Sequence, residues 1–119
     1  MNIKLLRLAL HMNTAQAARY LAARPDHPNG VSETTWNRWE NGVKTLPDDM
    51  QEHLSKIADN LAYCLDCTCQ LPKADEGGIG LFYHSIQPEN MSYIEYKTQL
   101  ACAVYAYALG IKVVEYGKQ

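Results

Sequence analysis

The sequence predicts a mainly α-helical protein, a four-helix unit followed by a small α+β unit with strand–helix–strand order. Apolar residues recur at helical spacing through the first 65 residues, and breaker clusters divide them into four runs. In the second half, two short apolar runs flank one long, well-capped helical segment. A chain of 119 residues holds one ordinary domain or two small units. The division is placed at 1–65 and 66–119.

Each element has a local reason. Ile3, Leu6 and Leu10 share one face of a first helix, from about Asn2 to His11. Asn13 is suited to cap a second, Thr14 to about Ala22, which turns Ala17, Ala18 and Leu21 inward. The run Arg24-Pro25-Asp26-His27-Pro28-Asn29-Gly30 then forces a loop. Arg24 and His27 carry groups that could meet phosphate, but the favoured expectation is a loop, Ala23–Gly30, hanging in solvent. Ser32 caps a third helix, which Asn41-Gly42 stops with glycine at the left-handed position. Pro47, Asp48 and Asp49 open a fourth, carrying Met50, Leu54, Ile57, Ala58 and Leu61 to about Leu65.

Gln70–Gly80, with Pro72 and three glycines, reads as a linker or exposed loop, and Ile79–Ser85 as a short strand. Ser92 and Glu95 have capping-box spacing at the start of the long helix, Asn90–Gly110. From Leu100 to Leu109 that helix is apolar nearly all round, more than so short a chain buries alone. A subunit interface is therefore expected there, with Phe82, Leu100, Val104, Tyr105 and Tyr107 as its residues. Ile111–Tyr116 supplies the last strand.

Composition excludes several classes. With 47% hydrophobic and 20% charged residues the chain is globular rather than disordered. Lys4, Arg7 and His11 interrupt the first apolar run, and no run approaches the ~18 residues of a membrane span. A soluble, cytoplasmic protein is the expectation. The net charge of −2 hides an asymmetry: residues 1–45 carry six Lys and Arg against three acids, residues 46–119 five Lys against ten acids. A basic first half suits a protein that touches a polyanion with one end.

Chemistry-bearing patterns are sparse. Cys64-x-x-Cys67-x-Cys69 lacks the paired spacing of a structural zinc site and would need Cys102 or a His as fourth ligand. Core packing of reduced thiols is the favoured reading, with no metal and no cofactor expected; a Cys-metal-sensing regulator is the alternative. His11, His27, His53 and His84 share no local pattern with a nucleophile or a paired carboxylate. Gly77-Gly78-Ile79-Gly80 lacks the Lys and following helix of a phosphate-binding loop. No enzyme and no small-molecule substrate is expected.

The informative segment is VSETTWNRWENG, residues 31–42. A helix that reads DNA buries one stripe against its own domain and offers the other to the major groove. Here Val31, Thr35, Trp36 and Trp39 supply an inner stripe, while Glu33, Thr34, Asn37 and Arg38 face outward. Arg pairs bidentately with guanine, Asn with adenine, and a Thr methyl touches thymine. Taken alone, the same pattern also fits a merely solvated helix face.

It does not stand alone. Leu6-Arg7, Ala17-Ala18, Val31-Ser32 and Trp39-Glu40-Asn41-Gly42 follow in order, and in these the chain resembles the lambda-repressor-like (XRE-type) helix-turn-helix family. AQAARYLA at 15–22, WNRWENG at 36–42, LPDDM at 46–50 and the distal LFYHS and IEYKTQLACAVYAYALG are similar to anti-CRISPR-associated autorepressors and YdiL-like cytoplasmic proteins. The resemblance implies a helix-turn-helix bundle at 1–65 and a dimerisation unit at 66–119. It further implies a homodimeric, autoregulating transcriptional repressor on an inverted repeat in double-stranded DNA. It places Thr14 at a phosphate, and Ser32, Glu33, Thr34, Asn37 and Arg38 against bases or backbone. Arg7 and Glu40 become an internal ion pair. An antitoxin-like protein whose C-terminal half binds a partner protein is the alternative. The loop Ala23–Gly30 is longer than the family usually allows at that place.

Overall fold

The computed structural model describes residues 1–117 and is mainly helical, with 55% helix and one small two-stranded parallel sheet. In chain order the elements are α1 (Ile3–Ala9), α2 (Thr14–Gln16) with a π-helical continuation (Ala17–Leu21), α3 (Glu33–Glu40), α4 (Asp48–Cys69), a 3₁₀ turn (Ala74–Glu76), β1 (Leu81–Tyr83), α5 (Tyr93–Ala108) and β2 (Val113–Glu115). The chain divides into two compact units, Met1–Asp59 and Asn60 onward.

In the first unit the caps are local: the expected one at Asn13 is present, and Asn2 supplies a further one. Asn2 accepts from the Leu5 amide at 3.0 Å, and Asn13 and Gln16 close a reciprocal capping box at 2.8 and 3.0 Å. Ile3, Leu6, Leu10, Met12, Ala17, Ala18, Leu21, Ala22, Trp36, Met50 and Leu54 form the core. Trp36, Leu10, Leu21, Met50 and Leu54 are its fully enclosed large side chains.

The second helix departs from the sequence expectation. It is α-helical for only three residues and then widens into a π turn, with the Ala22 amide bonded to the Ala17 carbonyl at 3.1 Å. The cause lies thirteen residues on: the Ala18 carbonyl, which an α-helix would give to Ala22, accepts from the Val31 amide at 2.9 Å. This approach requires Gly30. Its φ is +72°, and a Cβ there would lie 2.0 Å from the Ala18 oxygen and 2.7 Å from that of Arg19.

The loop Ala23–Gly30 is exposed from Pro25 to Asn29, as expected, but it is closed on itself rather than loose. Arg24 and His27 exchange backbone hydrogen bonds at 3.1 and 2.9 Å, and the Gly30 amide bonds the His27 carbonyl at 3.0 Å. Arg24 reaches across to Asp49 at 2.6 Å, so its charge serves the fold.

The fourth helix runs to Cys69, one turn past the expected end at Leu65. Nothing between Leu65 and Cys69 breaks a helix, and the first residue unable to continue it is Pro72. Cys64, Cys67 and Cys69 are therefore helical.

In the second unit β1 and β2 pair in parallel, with Leu81 opposite Val113 and Tyr83 opposite Glu115. Parallel pairing needs a crossover, and α5 supplies it. Both strands are shorter than the expected Ile79–Ser85 and Ile111–Tyr116, because the ladder exists only where the two runs overlap. Ser92 caps α5 by accepting from the Glu95 amide at 3.1 Å. The expected linker is tied down: Lys73 Nζ donates to the Leu109 carbonyl at 2.6 Å, at the negative end of α5, and the Ala74 amide bonds Gly110 at 2.9 Å. Thr98, Ala101, Cys102, Ala103 and Ala106 form the buried face of α5. Its other face stays open, with Val104 57% and Tyr107 79% exposed and Tyr105 also exposed, as is Phe82 on β1. Leu100 is half-buried, and it lines a groove of about 390 Å³ with Tyr83, Ala103, Val104, Tyr107 and Val113.

Candidate nucleic-acid interface

The outward face of α3 depends on how firmly its inner face is held. Ser32 Oγ accepts from the Thr35 amide at 3.1 Å and lies 2.9 Å from the Thr35 hydroxyl. One turn on, the Trp36 ring is fully buried and meets Trp39 edge-to-face at 6.0 Å. Thr35 and Trp39, both expected on the inner stripe, are only half-buried. For Thr35 the reason is its hydroxyl, which serves the cap rather than the core.

At its C-terminal end α3 is fastened to α1. Arg7 Nε and Nη2 donate to Glu40 Oε2 and Oε1 at 2.9 and 3.0 Å, and Arg7 Nη1 donates to the Met12 carbonyl at 3.1 Å. The Trp36 indole N–H adds a third bond to Glu40. The two side chains are 11% and 6% exposed, so the fork is shielded from water. Burial pushes the Glu40 carboxyl up. The hydrogen bonds from Arg7 and Trp36 and the charges of Arg7 and Lys4 outweigh it and hold the group below its ordinary value. The implied ion pair is present and structural.

With that face committed, Ser32, Glu33, Thr34 and Arg38 are exposed and Asn37 is half-buried. Thr14, at the start of α2, donates its hydroxyl proton to Glu33 Oε1 at 2.8 Å. The structure thus brings Thr14 and Glu33 together. Asn41 and Gly42 end the helix, and the Val43 and Lys44 amides bond the Arg38 carbonyl at 3.0 and 3.2 Å. Lys44, exposed just past the C-terminus of α3, adds a cation that the pattern reading did not single out.

Three positioning contacts escaped the sequence: Val31 to Ala18, Arg24 to Asp49, and His53 Nε2, which lies 3.0 Å from the Leu21 carbonyl. The Arg24 bond, with its charge, holds the Asp49 carboxyl below the usual range. Asn29-Gly30 was the one local signal for the first of these, and the partners of the other two are more than twenty residues away.

Elsewhere, Cys64 is half-buried, Cys67 and Cys69 are exposed, and Cys102 is buried, with burial pushing its thiol up. Among the described residues no three His, Cys, Asp or Glu side chains converge as a metal set, and no helix is long and apolar enough to cross a membrane. His84 pairs with Gln99 at 2.7 Å and stacks on Tyr116 at 4.6 Å. Residues 1–111 match the model of the Aca2/YdiL-like family. No curated protein matches the chain.

Proposed function

The chain belongs to the Aca2/YdiL-like family, which points to an anti-CRISPR-associated regulator, and from that premise we propose a sequence-specific DNA-binding repressor that acts as a dimer on an inverted repeat and represses its own operon. The observation that carries this reading is the division of α3. Trp36 and Glu40 anchor one side of it, while Ser32, Glu33, Thr34 and Arg38 lie open on the other. In this reading α2 and α3 are the two members of a helix-turn-helix, and α3 lies in the major groove.

Charge supports the same end of the chain, since the net +3 of residues 1–45 suits contact with phosphates. Dimerisation is assigned to the second unit. Its open apolar surface, Phe82, Val104, Tyr105 and Tyr107 beside the half-buried Leu100, is the kind of patch that a two-fold partner covers. Two α3 helices related by that axis would meet two half-sites.

A gel-shift titration with the DNA immediately upstream of the coding region tests the proposal. A retarded complex on an inverted repeat there, surviving excess unrelated duplex, is the expected result. Equal competition by unrelated duplex, or no complex, overturns it.

A further inference from the structure

Resting on the DNA reading above, we propose that Glu33 determines specificity by selecting a cytosine in the major groove, and that the Thr14 hydroxyl positions it. Glu33 is the one carboxylate among the outward α3 residues, and it is exposed where a polyanion would approach. Against phosphate such a group only repels. Against base edges it discriminates, because an ionised carboxylate offers acceptors and no donor.

Guanine presents N7 and O6 in the major groove, thymine presents O4, and adenine presents N7 beside its amino group. Each of these sets an acceptor before the carboxylate. Cytosine alone presents a donor, its N4 amino group, with no acceptor beside it. A carboxylate at this place therefore favours one base and opposes the other three.

Thr14 fixes the geometry. Its hydroxyl has a single proton, and that proton is donated to Glu33 Oε1 at 2.8 Å. While the bond stands, the hydroxyl has nothing left to donate to a phosphate, so Thr14 acts through Glu33. One carboxylate oxygen is held and the other is left for the base. The first turn of α3 also favours a negative charge, which keeps the carboxylate where Ser32 starts the helix.

The test is selection from a duplex pool randomised across the operator, with wild type, Glu33→Gln and Thr14→Val compared by sequencing the bound fraction. Thermal melts of all three check that the fold is retained. Wild type is expected to enrich cytosine at one position of each half-site by roughly tenfold over other bases. A carboxamide matches adenine N6 and N7, so Glu33→Gln should move that position to adenine and leave the others unchanged. It should also bind unrelated duplex several-fold more tightly, having lost one negative charge per subunit. Thr14→Val should flatten the same position alone. Identical motifs for wild type and Glu33→Gln, or a uniform loss of preference at every position, overturn the inference. If wild type itself enriches no motif, the DNA reading fails before any variant is compared.

Discussion

Glu40 is the residue on which the orientation of α3 turns. It takes three hydrogen bonds, two from Arg7 and one from Trp36, with only 6% of its side chain exposed. Removing one partner of a shielded pair strands the other charge, and Glu40→Ala is expected to destabilise the protein by about 3 kcal/mol in urea unfolding. The pH dependence follows from the lowered carboxyl. Its contribution is fully present above the ordinary value of 4.5 and is lost as pH falls through the lower folded value. Glu40→Gln should therefore flatten the stability profile below about pH 4.5, and an unchanged profile would remove Glu40 from this role. Trp36 was legible from helical spacing alone, because burying one stripe is a local demand. The Arg7–Glu40 pair was not, since its partners are thirty-three residues apart and only the resemblance to a known family joined them.

At the scale of elements, legibility followed the range of the interaction that sets each boundary. Caps at Asn2, Asn13, Ser32 and Ser92 act over three residues, and each helix starts within three residues of where the sequence places it. The π turn after Gln16 answers to Val31 and could not be read locally, whereas the run of α4 to Cys69 agrees with the local absence of any breaker before Pro72. Gly30 joins the two scales. Gly30→Ala forces a Cβ against two carbonyl oxygens and keeps φ at +72°, so it should destabilise by well over the ~1–2 kcal/mol of a left-handed alanine alone. Gly42→Ala is the matched control: φ is +74° and a Cβ would meet nothing within 4 Å, so only that conformational cost of about 1–2 kcal/mol remains. Urea unfolding compares them. Equal losses would mean that the loop is not clasped to the π turn.

At the scale of the molecule, the basic first half and acidic second half were visible in the sequence, and so was the excess of apolar surface on α5. On the proposed reading a second copy of the chain covers that surface, and no local pattern specifies such a contact. Val104→Glu places a charge on an open position, 57% exposed, so the unit should still fold while a dimer through this face cannot form. Sedimentation equilibrium should report monomers for this variant and dimers for the wild type; a dimeric variant would move the interface elsewhere. Most direct for the claim that α3 reads sequence is the affinity of Arg38→Ala for the operator and for its single-base-pair substitutions. A loss of about 1–3 kcal/mol on the operator, with discrimination abolished at one guanine per half-site and kept elsewhere, is the predicted result. Undiminished affinity, with every base pair still discriminated as in wild type, would contradict it.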